Sequence, residues 1–349
     1  MKKKSLLTLF VLPLILCSCE AKREEVNYFK SRNDCKALKT LTSYIEDVTN
    51  KNSANFIPTE DRIATFDMDG TFYGELYPTY LEYWLLRYRG LEDKNYEAPD
   101  DVKEAAQNID DFVKLGTPLP SGFEMIHARA QAKAFAGLSL KQFDAYMKKF
   151  LNKPVDGFSG MTYGESFYIP MLEVFDYLKA NDFKCYVVSG SDRYICRSLV
   201  CDALSLTPDR VIGMDVELKA RNQGETENLN YTFSLTDEVV RTENVMIKNL
   251  KMNKVMNIVQ EIGKQPVLSF GNSGGDAAMH NYALKDNEYR AEAFMLIAND
   301  EERDYGNVTK ANTLRETWEA SNYNVISMKD DFATIYKIGA KKTSFSWAN

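Results

Sequence analysis

Histidine is the scarcest reactive side chain in this 349-residue protein, with His127 and His280 the only two present. Two imidazoles are too few for a multi-histidine zinc site or for a phosphatase built on a histidine nucleophile. Both lie in helix-like stretches and read as packed or surface residues. A basic surplus is missing too: the formal net charge is −7, which disfavours nucleic acid as a partner. Cysteine supplies no framework. Of six, Cys17 and Cys19 sit near the amino terminus, Cys185 falls inside an apolar strand pattern and reads as a buried thiol, and Cys35, Cys196 and Cys201 dictate no pairing. Internal repeats and low-complexity tracts are absent. The apolar run from Leu6 to Leu16 is too short to span a bilayer as a mature helix.

What is there is a pair of carboxylates at a strand end. Arg62-Ile63-Ala64-Thr65-Phe66 is a short apolar strand, and Asp67-Met68-Asp69-Gly70-Thr71 follows it directly. In extended backbone, side chains two apart point the same way, so Asp67 and Asp69 converge while Met68 turns into the core. Crowded carboxylates repel and shift each other's titration unless a cation joins them, so the pair implies a divalent metal and a reaction. The bland reading is a strand entering a turn, since Asp and Gly favour turns. Three further pieces argue against it. Phe183-Lys184-Cys185-Tyr186-Val187-Val188-Ser189-Gly190 reads as a buried parallel strand, with a helix from Asp192 onward. Ser189 closes that strand and Gly190 permits close backbone approach to an anion. A lysine opens the helix Val255-Met256-Asn257-Ile258-Val259. Finally, Pro266-Val267-Leu268-Ser269-Phe270-Gly271-Asn272-Ser273-Gly274-Gly275-Asp276 is again strand, glycine turn, polar ligand and helix.

These four pieces, in this order, resemble the motif set of the haloacid dehalogenase superfamily, most closely its phosphoserine phosphatase-like phosphatases. The likeness covers most of the chain after about Arg62. It implies an α/β fold with a doubly wound parallel (Rossmann-like) sheet and an inserted helical cap domain. It makes Asp67 the nucleophile, Asp69 the acid/base, Ser189 the hydroxyl of the second motif, and Lys254 or Lys251 the lysine of the third. Lys254 is preferred, because Lys254, Ile258 and Ile262-Gly263 reproduce the family spacing ahead of the last motif. Thr71 and Gly190 join the substrate-binding set. The implied cofactor is Mg2+, with Asp67, Asp69, Asn272 and Asp276 as the metal set and Asp276 anchoring Asn272 from behind. Here the chain departs from the pattern: the last motif commonly opens Gly-Asp, whereas this one has Gly271-Asn272. An amide oxygen still coordinates a hard cation but brings no charge.

Residue chemistry points the same way. A phosphate monoester dianion repels nucleophiles, so a catalyst needs positive charge around the transferring oxygens and an in-line attacking group. Attack by Asp67 gives an aspartyl-phosphate. Asp69 protonates the leaving alkoxide, then deprotonates the water that breaks the acyl phosphate. Dehalogenases of the superfamily lack a second Asp, so Asp69 argues for phosphate chemistry. The expected activity is that of a Mg2+-dependent phosphomonoesterase acting on a small phosphorylated metabolite. Two alternatives stay open: a phosphotransferase or mutase on the same scaffold, and a lipid-anchored binding protein whose catalytic set has decayed.

More than a hundred residues separate the first motif from the second, far too many for a loop. They read as helices over 78–86, 101–113 and 122–135, with Ser139-Leu140-Lys141-Gln142 as a capping box opening a fourth. The domain plan is a signal peptide at 1–19, a linker and helix at 20–60, a catalytic core at 61–72 plus 162–349, and a cap at 73–161. Tyr73, Tyr77, Tyr80, Tyr83 and Trp84 could line its pocket, but at helical spacing most are core. The resemblance places Glu75 and Arg129 near an acid for an amine and an arginine for a carboxylate, contacting a zwitterionic or charged leaving group. The plain alternative is a surface salt bridge. Beyond the second motif, a helix over 192–204 precedes strand-like runs at 215–218 and 230–234, read as a hairpin flap. The last strands are expected at 293–298 and 325–328. At the amino terminus, Lys2-Lys3-Lys4, the apolar run and Leu16-Cys17-Ser18-Cys19 resemble a bacterial lipobox. That implies lipid on Cys19, a membrane tether and a place in the cell envelope.

Overall fold

A computed structural model describes residues 26–75 and 79–348; Cys19 with its lipobox, and Tyr77, lie outside the described residues. Helix α1 (Lys36–Thr49) precedes strand β1 (Ile63–Phe66). Four helices then intervene, α2 (Leu81–Leu91), α3 (Asp100–Leu115), α4 (Phe123–Ala134) and α5 (Leu140–Leu151), before β2 (Phe158–Ser159) and α6 (Ile169–Ala180). The chain continues through β3 (Lys184–Asp192), α7 (Arg193–Leu204), β4 (Val211–Ala220), β5 (Val239–Ile247), α8 (Met252–Glu261), β6 (Leu268–Gly271) and α9 (Ala277–Leu284). It closes with β7 (Glu292–Ile297), α10 (Val308–Ala320), β8 (Asn324–Ser327), α11 (Met328–Asp331) and β9 (Lys341–Lys342).

Seven strands form one sheet in the order β5-β4-β3-β1-β6-β7-β8. All neighbours are parallel except β4 and β5. Strand β1 is central, and the chain builds outward from it in both directions. In such a sheet the crevice lies at the carboxyl end of the strand where the winding reverses, which is where Asp67 begins. The faces alternate as strand geometry demands. On one face Phe66 pairs in register with Phe270, and Phe270 with Phe294; the rings stack at 4.3 and 5.0 Å, and Phe175 of α6 lies 3.9 Å from Phe66. Each such ring contributes about 1.5–3 kcal/mol by leaving water. On the other face Thr65 donates to Ser269, whose hydroxyl meets Nδ1 of His280 at 2.6 Å. His280 is thus a core residue, and burial pushes its pKa down to about 4.

Helix starts follow local chemistry. Ser139 and Gln142 form the reciprocal capping box of α5, and the Asp192 carboxylate accepts from the Tyr194 N–H to open α7. The hairpin differs from expectation in its second strand, which is Val239–Ile247 rather than 230–234. The Asp237 carboxylate accepts from the Ser234 N–H and the Tyr231 hydroxyl. Those bonds tie 231–237 into a loop and leave Phe233 exposed, so an apolar-aromatic run that could pair is held by its own turn chemistry. Strand β5 then joins the helical insertion by main-chain bonds, Arg241 N–H to Leu138 and Gly137 N–H to Arg241. The fully buried Arg241 guanidinium meets Asp192 at 2.5 Å beneath the Phe143 ring. Among the described residues the four cysteines, Cys35, Cys185, Cys196 and Cys201, are free thiols.

Candidate active site

Three chain segments meet at one ammonium group. Lys254, on the first turns of α8, is buried, with Nζ 2.6 Å from Asp67 Oδ1 at the end of β1 and 2.7 Å from Asp276 Oδ1 at the start of α9. Lys251 is instead the exposed residue ahead of α8, with φ +53°; of the two lysines, Lys254 is the one brought to the carboxylates. Burial alone would discharge Lys254, but its two carboxylates more than offset that and hold it protonated. Asp276 is drawn below the usual carboxylate range by the same lysine, against the cost of its own burial. Asp67 is pushed up to about 6 by burial and by Asp276, with Lys254 opposing.

Asp69 stands in the same cavity. Burial, then Asp67 and Glu82, push it up to about 8. Its Oδ2 accepts from the Ser191 hydroxyl at 2.8 Å, while Oδ1 is buried with no partner. Ser191, not Ser189, supplies this contact. Strand β3 runs on to Asp192, two residues beyond the expected end, so the sheet's carboxyl edge falls at Ser191. Ser189 is buried below it, its oxygen accepting from the Ser191 N–H. Thr71 is likewise buried, donating weakly to Asp67 Oδ2 at 3.4 Å, beneath the cavity rather than in it. Gly190 does line the cavity, and a Cβ there would sit 2.5 Å from Leu250.

The last motif folds around Asp276. Its Oδ2 accepts from the Asn272 and Ser273 N–H groups and the Ser273 hydroxyl, and Oδ1 takes Lys254. Oδ2 takes three of these bonds and Oδ1 the lysine, so Asp276 anchors the turn behind Asn272. Gly271 permits this, since a Cβ there would meet the Asp276 carboxyl carbon at 2.9 Å. The Asn272 amide reaches the cavity and donates to Glu75 at 3.1 Å. Gly70, at φ +75°, leaves the room: a Cβ would lie 2.0 Å from Asn272 Nδ2. Glu75 is pushed up to about 8 by burial, then by Asp69 and Asp67.

Among the described residues, no set of three or more His, Cys, Asp or Glu side chains is arranged as a metal cluster. The donor set available is two carboxylates and an amide, from Asp67, Asp69 and Asn272. The unpartnered Asp69 oxygen and the mutual repulsion of buried acids fit a hard, oxygen-liganded cation such as Mg2+.

The cavity, of about 180 Å³, is closed on its far side by Tyr80, Glu82 and Tyr83 at the start of α2, Glu124 of α4 and Lys248. Arg129 is not among them: it lies on the exposed side of α4. The buried positions of α4 are Phe123, His127, Ala128, Ala130, Gln131, Ala132 and Ala134, whereas Arg129 is exposed. Tyr73 is core, its hydroxyl bonded to the Tyr163 carbonyl, and Trp84 packs on Trp347 away from the cavity. His127 is buried beside Glu82 and pushed down to about 4 by that burial. Sequence reasoning missed Ser191, Glu82, Glu124 and Lys248. Ser191 had a signal in the Ser-Gly-Ser alternation; the others face the cavity only through tertiary packing.

No protein-family model matches the sequence, and no curated protein matches it. Solved structures do. A conserved protein of unknown function from Anaerococcus prevotii is 14% identical with a TM-score of 0.51, over 87% of this chain and 96% of its own. A protein of unknown function from Bordetella pertussis is 16% identical with a TM-score of 0.48, over 76% and 97%. A phosphoserine phosphohydrolase-like protein from Francisella tularensis is 12% identical with a TM-score of 0.37, over 72% and 92%. At these identities the likeness concerns the fold: the chain has an α/β fold with a mostly parallel seven-stranded sheet, similar to that of the Anaerococcus protein.

Proposed function

We propose that this protein is a phosphomonoesterase that hydrolyses a small phosphorylated metabolite through an aspartyl-phosphate on Asp67. The observation that carries the reading is the Lys254 bridge from Asp67 to Asp276, with Asp69 two residues on in the same small cavity. It fixes the Asp67 carboxylate beside a permanent positive charge, which is what an anionic nucleophile needs to meet an anionic phosphate. Asp67 attacks phosphorus and the bond to the ester oxygen breaks. Asp69 gives its proton to that oxygen, releasing the alcohol. Asp69 then takes a proton from water, whose oxygen attacks phosphorus; the Asp67–phosphate bond breaks and inorganic phosphate leaves. Ser191 holds Asp69 in place for both transfers. Its raised pKa suits a group that must be protonated near neutral pH. A Mg2+ ion held by Asp67, Asp69 and Asn272 would neutralise phosphate oxygens. The intact Asp67–Lys254–Asp276 arrangement weighs against a decayed binding protein.

Helices α2–α5 act in this reading as the cap that closes the cavity and selects the alcohol. Lipid on Cys19 would tether the enzyme in the cell envelope; palmitate incorporation that disappears in Cys19→Ala tests that separately. For the activity, the test is release of phosphate from p-nitrophenyl phosphate with MgCl2. Turnover by the natural chain and none by Asp67→Asn is expected; activity retained by Asp67→Asn contradicts the assignment.

A further inference from the structure

The cavity has two ends of different chemistry. Lys254 marks the phosphate end, and the other is walled by α2 and α4. There the Tyr80 and Tyr83 rings stand 5.3 Å apart at 77°, edge to face, with Glu75, Glu82 and Glu124 around them. Across the whole lining, six acidic side chains face two ammonium groups. Lys254 is already shared by Asp67 and Asp276, and Lys248 is held 3.0 Å from Glu82. The leaving-group end is therefore aromatic, with the exposed Glu124 carboxylate at its rim and its one lining ammonium, Lys248, taken by Glu82.

We infer that the alcohol released here is a small cationic amino alcohol, so that the natural substrate is a phosphate monoester of the phosphocholine or phosphoethanolamine type. The inference rests on the phosphomonoesterase reading. Aromatic faces together with carboxylates are the surroundings an ammonium head prefers. A leaving group bearing a carboxylate, as in phosphoserine, would face Glu82 and Glu124 with no unengaged cation in the lining itself, because Arg129 and Lys310 lie outside it. A second phosphate meets the same objection. Glu124 is exposed at the rim, placed to draw a cation inward, while Tyr83 is buried at the base.

The test measures kcat/KM of the purified protein for phosphocholine, phosphoethanolamine, phosphoserine, glycerol 3-phosphate and p-nitrophenyl phosphate, with choline and tetramethylammonium added as inhibitors. One or both cationic esters should exceed glycerol 3-phosphate and phosphoserine by about tenfold or more, and choline should inhibit competitively. The primary and quaternary amines in separate arms show which head the wall takes. Glu124→Gln, on the exposed rim where folding is not at stake, should lower the ratio of kcat/KM for the preferred cationic ester to that for glycerol 3-phosphate by about threefold to tenfold. Cleavage of p-nitrophenyl phosphate without preference for either cationic ester would overturn the inference and leave the hydrolytic reading standing. Release of phosphate from none of the five would overturn both.

Discussion

The floor and the far wall of the cavity are built on opposite principles. On the floor Lys254 is fixed between Asp67 and Asp276, Asp276 also gathers two main-chain N–H groups and a hydroxyl, and Asp69 keeps only one oxygen unpartnered. On the wall, Glu124 and Tyr80 are exposed, and only Glu82 and Lys248 are paired. The floor grows from three strand and helix ends of one sheet, so small errors there would misplace reacting atoms. The wall comes from an insertion that meets the sheet through the β5 seam. Preorganisation belongs to chemistry and openness to selection, and this division predicts which substitutions are costly.

The largest expected effect is on the floor. Asp67→Asn should reduce kcat by about 10³-fold or more, because it removes the carboxylate that attacks phosphorus; steady-state phosphate release checks it. Lys254→Met should abolish activity and also lower stability by about 3–5 kcal/mol, since it leaves two buried carboxylates without their cation. Urea unfolding measures the second effect. Glu124→Gln, on the wall, should change stability by less than about 0.5 kcal/mol. A Lys254→Met protein as stable as the parent would erase the contrast between floor and wall.

Charge titration offers a sharper version. Asp69 and Glu75 are both raised to about 8 in the fold, whereas in an unfolded chain they ionise near 4. The folded state therefore binds more protons across that window, and the stability these groups contribute is lost as pH rises from about 4 through about 8. Metal-free protein should show a Tm at pH 8 below that at pH 6. Mg2+, which favours the ionised acids, should raise Tm more at pH 8 than at pH 6. A Mg2+ shift that is equal at both would separate the ion from these carboxylates.

Smaller effects follow. Ser191→Ala should slow kcat by about tenfold through loss of the bond that orients Asp69, while Ser189→Ala costs about 1 kcal/mol of stability and little turnover. Smallest is Arg129→Ala, expected to leave kcat/KM within about twofold for every ester, as its exposed position requires.

The floor was legible in the sequence because its residues sit at fixed offsets from strand ends. A strand of period 2 puts Asp67 at the carboxyl edge, and a glycine turn does the same for Asn272 and Asp276. Even so, Ser189 was placed two residues too early, since an apolar run does not reveal how far pairing continues. The wall was not legible. Arg129 and Glu124 are on the same helix, and which of them faces the cavity depends on how α4 packs against α2 and β5, a tertiary fact with no local signature. The second hairpin strand failed for the converse reason: a local bond network around Asp237 overrode strand propensity.

The central claim is that phosphorus is transiently bound to Asp67. Rapid acid quench during turnover, followed by peptide mass spectrometry, tests it most directly. A phosphorylated peptide with the modification on Asp67, absent in Asp67→Asn, is expected; turnover with no adduct at Asp67, or with one at another residue, would rule out the aspartyl-phosphate.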